Sequence, residues 1–178
     1  VVAEGDLFAC ITGAEHDGHA HALDAIRQGA VALLVERQLD LDVPQLIVPD
    51  VRKAVGYASS AVYGYPSTKL KVIGVTGTAG KTTVAHALAE TLQATDSPAG
   101  VLGTLEGHHT TPEAPDFQKA LSRIHSQGNE WACVEVSSHG LDYGRVEGTE
   151  FAGAVFTNLS VEHLDFHQDM ETYFLAKR

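Results

Sequence analysis

Positive charge is scarce in this chain: 12 lysines and arginines stand against 23 aspartates and glutamates, a formal net charge of −11. A general nucleic-acid binder needs a basic footprint, so no nucleic-acid partner is expected. An anionic ligand would have to be captured by local loops rather than by overall charge. Apolar runs of the ~18 residues that a membrane helix needs are missing too, so no membrane partner is expected. Cysteine is nearly absent. Cys10 and Cys133 lie inside the apolar runs Leu7–Ile11 and Trp131–Val136, which reads as reduced core residues of a cytoplasmic protein rather than a disulfide or a metal site. Ten histidines raise the question of zinc, but no pair has ligand spacing together with the cysteines. What remains is the composition of a globular protein, 44% hydrophobic and 20% charged, and its 178 residues suit one large domain or two small ones. Val1 is not a start methionine and Arg178 falls inside a helical pattern. The chain is therefore expected to be a piece of a longer protein, with no targeting signal visible.

Strand and helix signals alternate along the chain. Leu7–Ile11, Val31–Val35 and Leu46–Val48 read as strands, His19 to Gly29 as a helix, and Asp50 as the cap of a helix running to about Tyr63. His19 and His21, on or near the first helix, read as surface residues. Gly64 to Lys71 reads as a linker. A second series follows: a strand over Val72–Thr76, a helix from Lys81 to about Thr95, and strands over Ala99–Leu102, Trp131–Ser137 and Gly153–Thr157. Val84, Ala85, Leu88, Ala89 and Leu92 form the apolar face of that helix. Thr111-Pro112 resembles an N-cap with proline at the first helical position, opening a helix to about Gln127. Glu171 onward is helical. The predicted fold class is α/β: a small N-terminal α/β domain over residues 1–66, then a doubly wound, mostly parallel P-loop-type domain of which 67–178 is the first part.

Three motifs fall at C-terminal strand ends, where ligands gather in such sheets. In Gly77-Thr78-Ala79-Gly80-Lys81-Thr82-Thr83, a strand breaks into a glycine loop and a helix N-terminus. Glycines admit the backbone close to an anion, Lys81 adds a mobile charge, and the Thr82 or Thr83 hydroxyl can hold Mg²⁺. The strict P-loop pattern wants glycine where Val75 stands, so this is a variant loop. Glu135, near the end of an apolar strand, is costly to bury unless paired or metal-bound. It could serve as a Mg²⁺ ligand, or as a structural acid bonded to backbone or to Lys81. His163, in Asn158-Leu159-Ser160-Val161-Glu162-His163-Leu164-Asp165, could complete a metal site, although an isolated histidine in an acidic loop is usually a surface residue. His108-His109-Thr110-Thr111 precedes a helix and suits a phosphate or carboxylate, or is a solvated loop. Arg145 is an anion clamp or a surface charge with equal standing, and Lys177 alone reads as an exposed lysine.

Taken together, Thr76 to Thr83, Glu135-Val136-Ser137-Ser138-His139-Gly140-Leu141 and Phe156 to Asp165 closely resemble the Mur ligases, best the type that adds the third amino acid of the peptide. Gly5-Asp6-Leu7-Phe8 with Asp17-Gly18-His19 resembles that type's UDP-binding domain. The resemblance implies an ATP-dependent amide ligase of peptidoglycan synthesis. It would add diaminopimelate or lysine to UDP-N-acetylmuramoyl-L-alanyl-D-glutamate through an acyl phosphate. By resemblance, Gly77, Thr78, Ala79, Gly80, Lys81, Thr82, Thr83 and Asn158 bind ATP. Thr82, Thr83, Glu135 and His163 hold Mg²⁺. Ala14, Glu15 and His16 lie against UDP, and His109, Thr110, Thr111, Ser137 and Arg145 meet the sugar-peptide end. Lys81, His163 and Lys177 are the implied catalytic set. Lys177 matches a lysine that the family carries as a carbamate, an anion able to help hold a metal.

Three positions depart from the family pattern: Ala79 stands for asparagine, Glu162 for aspartate, and Tyr143 for a polar amide residue. The third domain, which binds the amino acid, is absent from these residues, so this stretch alone is expected to be inactive. A monomer is expected. Alternatives are a related ligase of the cyanophycin or folylpolyglutamate type, a P-loop switch and a degenerate binding module. A GTPase would need an Asn-Lys-x-Asp element, and none occurs.

Overall fold

A computed structural model describes residues 2–13, 16–105 and 109–178. These residues form two compact units, Val1–Val55 and Gly56–Arg178. The first carries β1 (Leu7–Ala9), a 3₁₀ turn (Gly18–His21), α1 (Ala22–Arg27), β2 (Ala32–Val35) and β3 (Gln45–Ile47), and α2 (Val51–Val62) begins in it. Its three strands pair in parallel in the order β1-β2-β3. Cys10, Ala22, Leu33 and Val35 make the core, with Phe8, Ile26 and Leu39 packed on it. Asp50 caps α2 as predicted, its carboxylate accepting from Lys53 N at 3.0 Å.

His19 overturns its expectation as a surface residue: it is only 5% exposed. Its Nε2 accepts from Glu36 N at 3.0 Å, so the ring proton sits on Nδ1 and is donated to Asp17 Oδ1, 2.6 Å away. Asp17 is shared with Arg37, 2.7 Å from its other oxygen. The Arg37 guanidinium and the His19 donors hold the Asp17 carboxyl well below the usual carboxylate range. Asp17-Gly18-His19 therefore knots the turn before α1. Gly18 is required there, since a Cβ would meet Ile11 N and O at 2.7 Å.

The second unit contains the remainder of α2, a 3₁₀ turn (Pro66–Thr68), β4 (Lys71–Thr76), α3 (Lys81–Gln93), β5 (Ala99–Leu102) and α4 (Ala114–Ser126). Then come β6 (Trp131–Glu135), α5 (Ser138–Asp142), β7 (Phe151–Phe156), α6 (Leu164–His167) and α7 (Met170–Lys177). Its sheet is parallel throughout, in the order β5-β6-β4-β7. Alternate residues of β4 and β6 feed two cores. Val72, Ala132 and Val134 join Phe117, Leu121 and Ile124 of α4. Ile73, Val75 and Cys133 join Ala85, Ala89, Leu88 and Leu92 of α3. Apolar residues on both faces of each central strand are the signature of a parallel sheet covered on both sides. Both thiols are free and buried, and burial pushes each up to about 11. Among the described residues no helix is long and apolar enough to cross a membrane.

Most predicted boundaries shift by one to three residues, and three shifts have a clear cause. α4 starts at Ala114 after Glu113, with Pro115 in its first turn, rather than at Thr111-Pro112. The Thr111 hydroxyl is bonded instead to Ser137 N and Glu135 O, so it is not free to cap. β6 ends at Glu135, because Ser137 caps the short helix α5 through Gly140 N. α7 starts one residue early, with Asp169 accepting from Thr172 N at 2.7 Å. The division between the compact units falls within α2.

Phe117 is fully buried in the α4 core. Phe117→Ala is expected to cost about 3–5 kcal/mol of unfolding free energy, measured by urea denaturation with an unchanged m-value.

Candidate active site

Parallel pairing of β4 with β6 and β7 brings three strand ends to one edge of the second unit. Val75 lies beside Glu135, and Thr76 beside Phe156. β4 then turns into the loop Gly77–Gly80 and α3. Gly77 has φ +143°, and a Cβ there would collide with the Thr157 hydroxyl. Gly80, at φ +84°, precedes α3 and offers it no side-chain cap. The uncapped first turn leaves N–H groups and the positive end of the helix dipole for an anion.

The loop is tied to the segment after β7. Thr78 N donates to Asn158 O at 2.9 Å. Ala79 N donates to Asn158 Oδ1 at 3.1 Å, and Asn158 Nδ2 returns a bond to Ala79 O at 2.9 Å. Thr157 Oγ1 adds a bond to Ala79 O at 2.7 Å. Position 79 thus works through its backbone, and the alanine methyl takes no part in the tie. Asn158, expected to contact the cofactor, spends its amide on the loop.

Lys81 folds back over the loop, donating to Gly77 O at 2.8 Å and Thr78 O at 2.9 Å. Burial lowers its pKa, while the charges of Glu135 and Glu162 oppose the shift. Glu135 is 1% exposed. Its carboxylate accepts from the Thr82 hydroxyl at 2.9 Å and from Thr104 N at 3.0 Å. Gly103 leaves room for it: a Cβ there would overlap the Glu135 carboxylate. Of the two hydroxyls expected as alternatives, Thr82 is the one joined to Glu135, whereas Thr83 is exposed. A hydroxyl and a carboxylate beside a phosphate loop suit Mg²⁺, which prefers hard oxygen donors and completes its shell with phosphate and water. Among the described residues no three His, Cys, Asp or Glu side chains are grouped to hold a metal alone.

His163 stands at φ +58° before α6. Its Nε2 lies 3.7 Å from Glu162. Its ring packs edge-on to His139, with centroids 4.8 Å apart, and 6.1 Å from Tyr173. Lys177 overturns the reading of an exposed lysine. It is 8% exposed. Its Nζ donates to Gly77 O at 3.1 Å and sits 4.7 Å above the Tyr173 ring. Burial, and secondarily Lys81, lowers its pKa to about 8.

A second group gathers beside β6. The Thr111 and Ser137 hydroxyls are 3.1 Å apart, and the Thr110 hydroxyl is 3.1 Å from that of Thr104. Arg145 Nη1 donates to Thr111 O at 3.1 Å and Nη2 pairs with Glu113 at 2.6 Å, the guanidinium lying over Tyr143. Thr111, Ser137 and Arg145 are therefore together, while His109 is exposed. In the first unit His16 O accepts from Gly13 N. Ala14, Glu15 and His108 lie outside the described residues. The sequence reading missed Tyr173, Thr104 and Gly103. Only Tyr173 carried a signal, its spacing of four from Lys177 on one helix face.

The sequence profile described as the Mur ligase middle domain matches residues 75–178, and that described as the Mur ligase family, catalytic domain, matches 1–79. The UDP-N-acetylmuramoyl-L-alanyl-D-glutamate–2,6-diaminopimelate ligases of Bacillus licheniformis and Halalkalibacterium halodurans are 42% and 43% identical over 185 aligned residues. Each alignment covers 99% of this chain and 38% of the relative, so the chain spans well under half of their length. A solved structure of a ligase of that name superposes with a TM-score of 0.83 at 33% identity, over 99% of this chain and 38% of that one. MurF from Thermotoga maritima in complex with ADP gives 0.64 at 25%, over 99% and 40%.

Lys177 makes stability depend on pH. Its folded pKa lies below the unfolded value of 10.5, so the unfolded chain binds the extra proton between about pH 8 and 10.5, and stability rises with pH across that window. Cys10 and Cys133 act in the opposite sense above pH 9. The informative quantity is therefore the difference between the unmutated chain and Lys177→Met. Urea unfolding is expected to show a gain of the order of 2 kcal/mol in the former that the variant lacks.

Proposed function

The chain belongs to the Mur ligase family, and on that premise we propose that the protein carrying it is an ATP-dependent amide ligase of peptidoglycan synthesis. It joins an amino acid to UDP-N-acetylmuramoyl-L-alanyl-D-glutamate. The names of the relatives favour 2,6-diaminopimelate as that amino acid. Residues 1–66 act as the UDP-substrate domain and 67–178 as the first part of the ATP-binding domain. The protein is a cytoplasmic monomer.

The observation that carries this reading is the convergence of Gly77–Thr83, Glu135 and Lys177 at one sheet edge. The uncapped N-terminus of α3, reached through the glycine loop, binds the ATP phosphates. Lys81 exchanges its loop carbonyls for phosphate oxygens, spreading positive charge onto the transferring group. Thr82 and Glu135, joined by a hydrogen bond, would with His163 hold Mg²⁺, which would supply further charge neutralisation. Thr111, Ser137 and Arg145 orient the substrate carboxylate, with Arg145 trading Glu113 for the substrate. Ala14, Glu15 and His16 bind the UDP end. That remote binding positions the carboxylate for phosphorylation, after which the incoming amine displaces phosphate.

Carbamylation of Lys177 is part of the proposal. The neutral amine adds CO₂ and releases one proton. A pKa lowered to about 8 supports this, because it raises the share of neutral amine near neutral pH well above that of an ordinary lysine.

Calorimetry with Mg·ATP and with the UDP-linked dipeptide tests the reading: a ligase binds both, a nucleotide switch only the first. Lys81→Ala is expected to lower the rate of phosphate release at least 100-fold in the intact protein, with folding unchanged by circular dichroism. Binding of neither ligand by the unmutated protein would rule the ligase out.

A further inference from the structure

Tyr173 is the bulkiest fully buried side chain among the described residues, and it meets the phosphate loop, Lys177 and two histidines. Its hydroxyl lies 3.1 Å from the Thr78 hydroxyl in the phosphate loop. One turn later on the same face of α7, Lys177 rests over its ring. The ring is also 6.1 Å from that of His163 and 5.1 Å from that of His167. Nothing in the core packing of either sheet face calls for a phenol here, since Tyr173 belongs to neither core cluster.

The hydrogen bonds around Thr78 define what the phenol does. Ser160 N donates to Thr78 Oγ1 at 3.0 Å, and Thr78 Oγ1 donates to Ser160 O at 3.3 Å. With the single Thr78 proton spent on Ser160, Tyr173 is the donor of the remaining bond and Thr78 its acceptor. Thr78 Oγ1 then has two donors and one acceptor, a complete set. The phenol proton thereby fixes the loop from the side of α7, while Asn158 fixes it from the side of β7. Lys177 Nζ rests over the ring face, and its N–H in turn donates to Gly77 O. Both loop residues that begin the phosphate cradle are thus held from one helix.

Building on the ligase reading, we propose that Tyr173 is a positioning residue that latches the phosphate loop to α7, so that the loop is already ordered when nucleotide arrives. Pre-ordering removes part of the entropy cost of binding. A latch therefore acts on nucleotide affinity and leaves the acceptor substrate alone.

The test is a double-mutant cycle in the intact protein, with Mg·ADP titrated by calorimetry. Tyr173→Phe keeps the ring and removes the proton donor. It is expected to weaken Mg·ADP about fivefold. Because Thr78 is the partner, the double variant with Thr78→Ala should bind no more weakly than Thr78→Ala alone. In turnover, Tyr173→Phe should raise the KM for ATP by the same factor and leave that for the UDP-linked dipeptide unchanged. A merely structural role would move both. Additive losses in the cycle, or unaltered Mg·ADP affinity in Tyr173→Phe, overturn the latch while the ligase reading stands. An unmutated protein that binds no nucleotide overturns the ligase reading and the latch with it.

Discussion

Parallel pairing of β4 between β6 and β7 is the constraint on which the second unit depends. A parallel sheet delivers all its C-terminal strand ends to one edge, and β4 sits between two neighbours there. Val75 beside Glu135, and Thr76 beside Phe156, set where the chain must turn. Gly77 follows at once, with no room for a Cβ against Thr157. The loop is thus placed by register first. The hydrogen bonds of Thr157, Asn158 and Ser160 then hold it.

The electrostatics follow from that placement. The loop N–H groups of Thr78 and Ala79 are taken by Asn158, and the carbonyls of Gly77 and Thr78 accept from lysine. The Nζ groups of Lys81 and Lys177 both donate to Gly77 O. Both have lowered pKa values: burial is the cause for Lys81, and burial with the neighbouring Lys81 charge for Lys177. Glu135 stays buried because Thr82 and Thr104 donate to it and Gly103 makes space. The positive charge of Lys81 is thus local, in a chain whose overall charge is −11. An acidic chain can hold an anion only locally, through backbone N–H groups and nearby lysine, rather than by its long-range field.

Much of this was legible in order along the chain. β4, the glycine loop and α3 announce themselves because a strand, a turn and an amphipathic helix each leave a local pattern. Asp50 capped its helix as read. The misreadings share a cause. Thr111 looks like a helix cap in sequence, but its hydroxyl finds Ser137 and Glu135, some 25 residues away in the chain. His19 looks like a surface histidine until Glu36 and Asp17 close around it. Tyr173 looks like one more aromatic of a terminal helix.

Sequence by itself determined the element types, the alternation that makes a parallel sheet, and which side-chain chemistry each strand end carries. These depend on local propensity, periodicity and side-chain chemistry, which any window of the chain displays. Tertiary structure alone decided which of those residues work together: Thr82 rather than Thr83 on Glu135, Lys177 on Gly77 rather than in solvent, Asn158 on the loop backbone, and Arg145 on Glu113 and Thr111. Partnership across 30 to 100 residues is set by strand register and burial. It leaves no trace in any local stretch of sequence, because a buried polar group takes whichever partner the fold brings within about 3 Å of it.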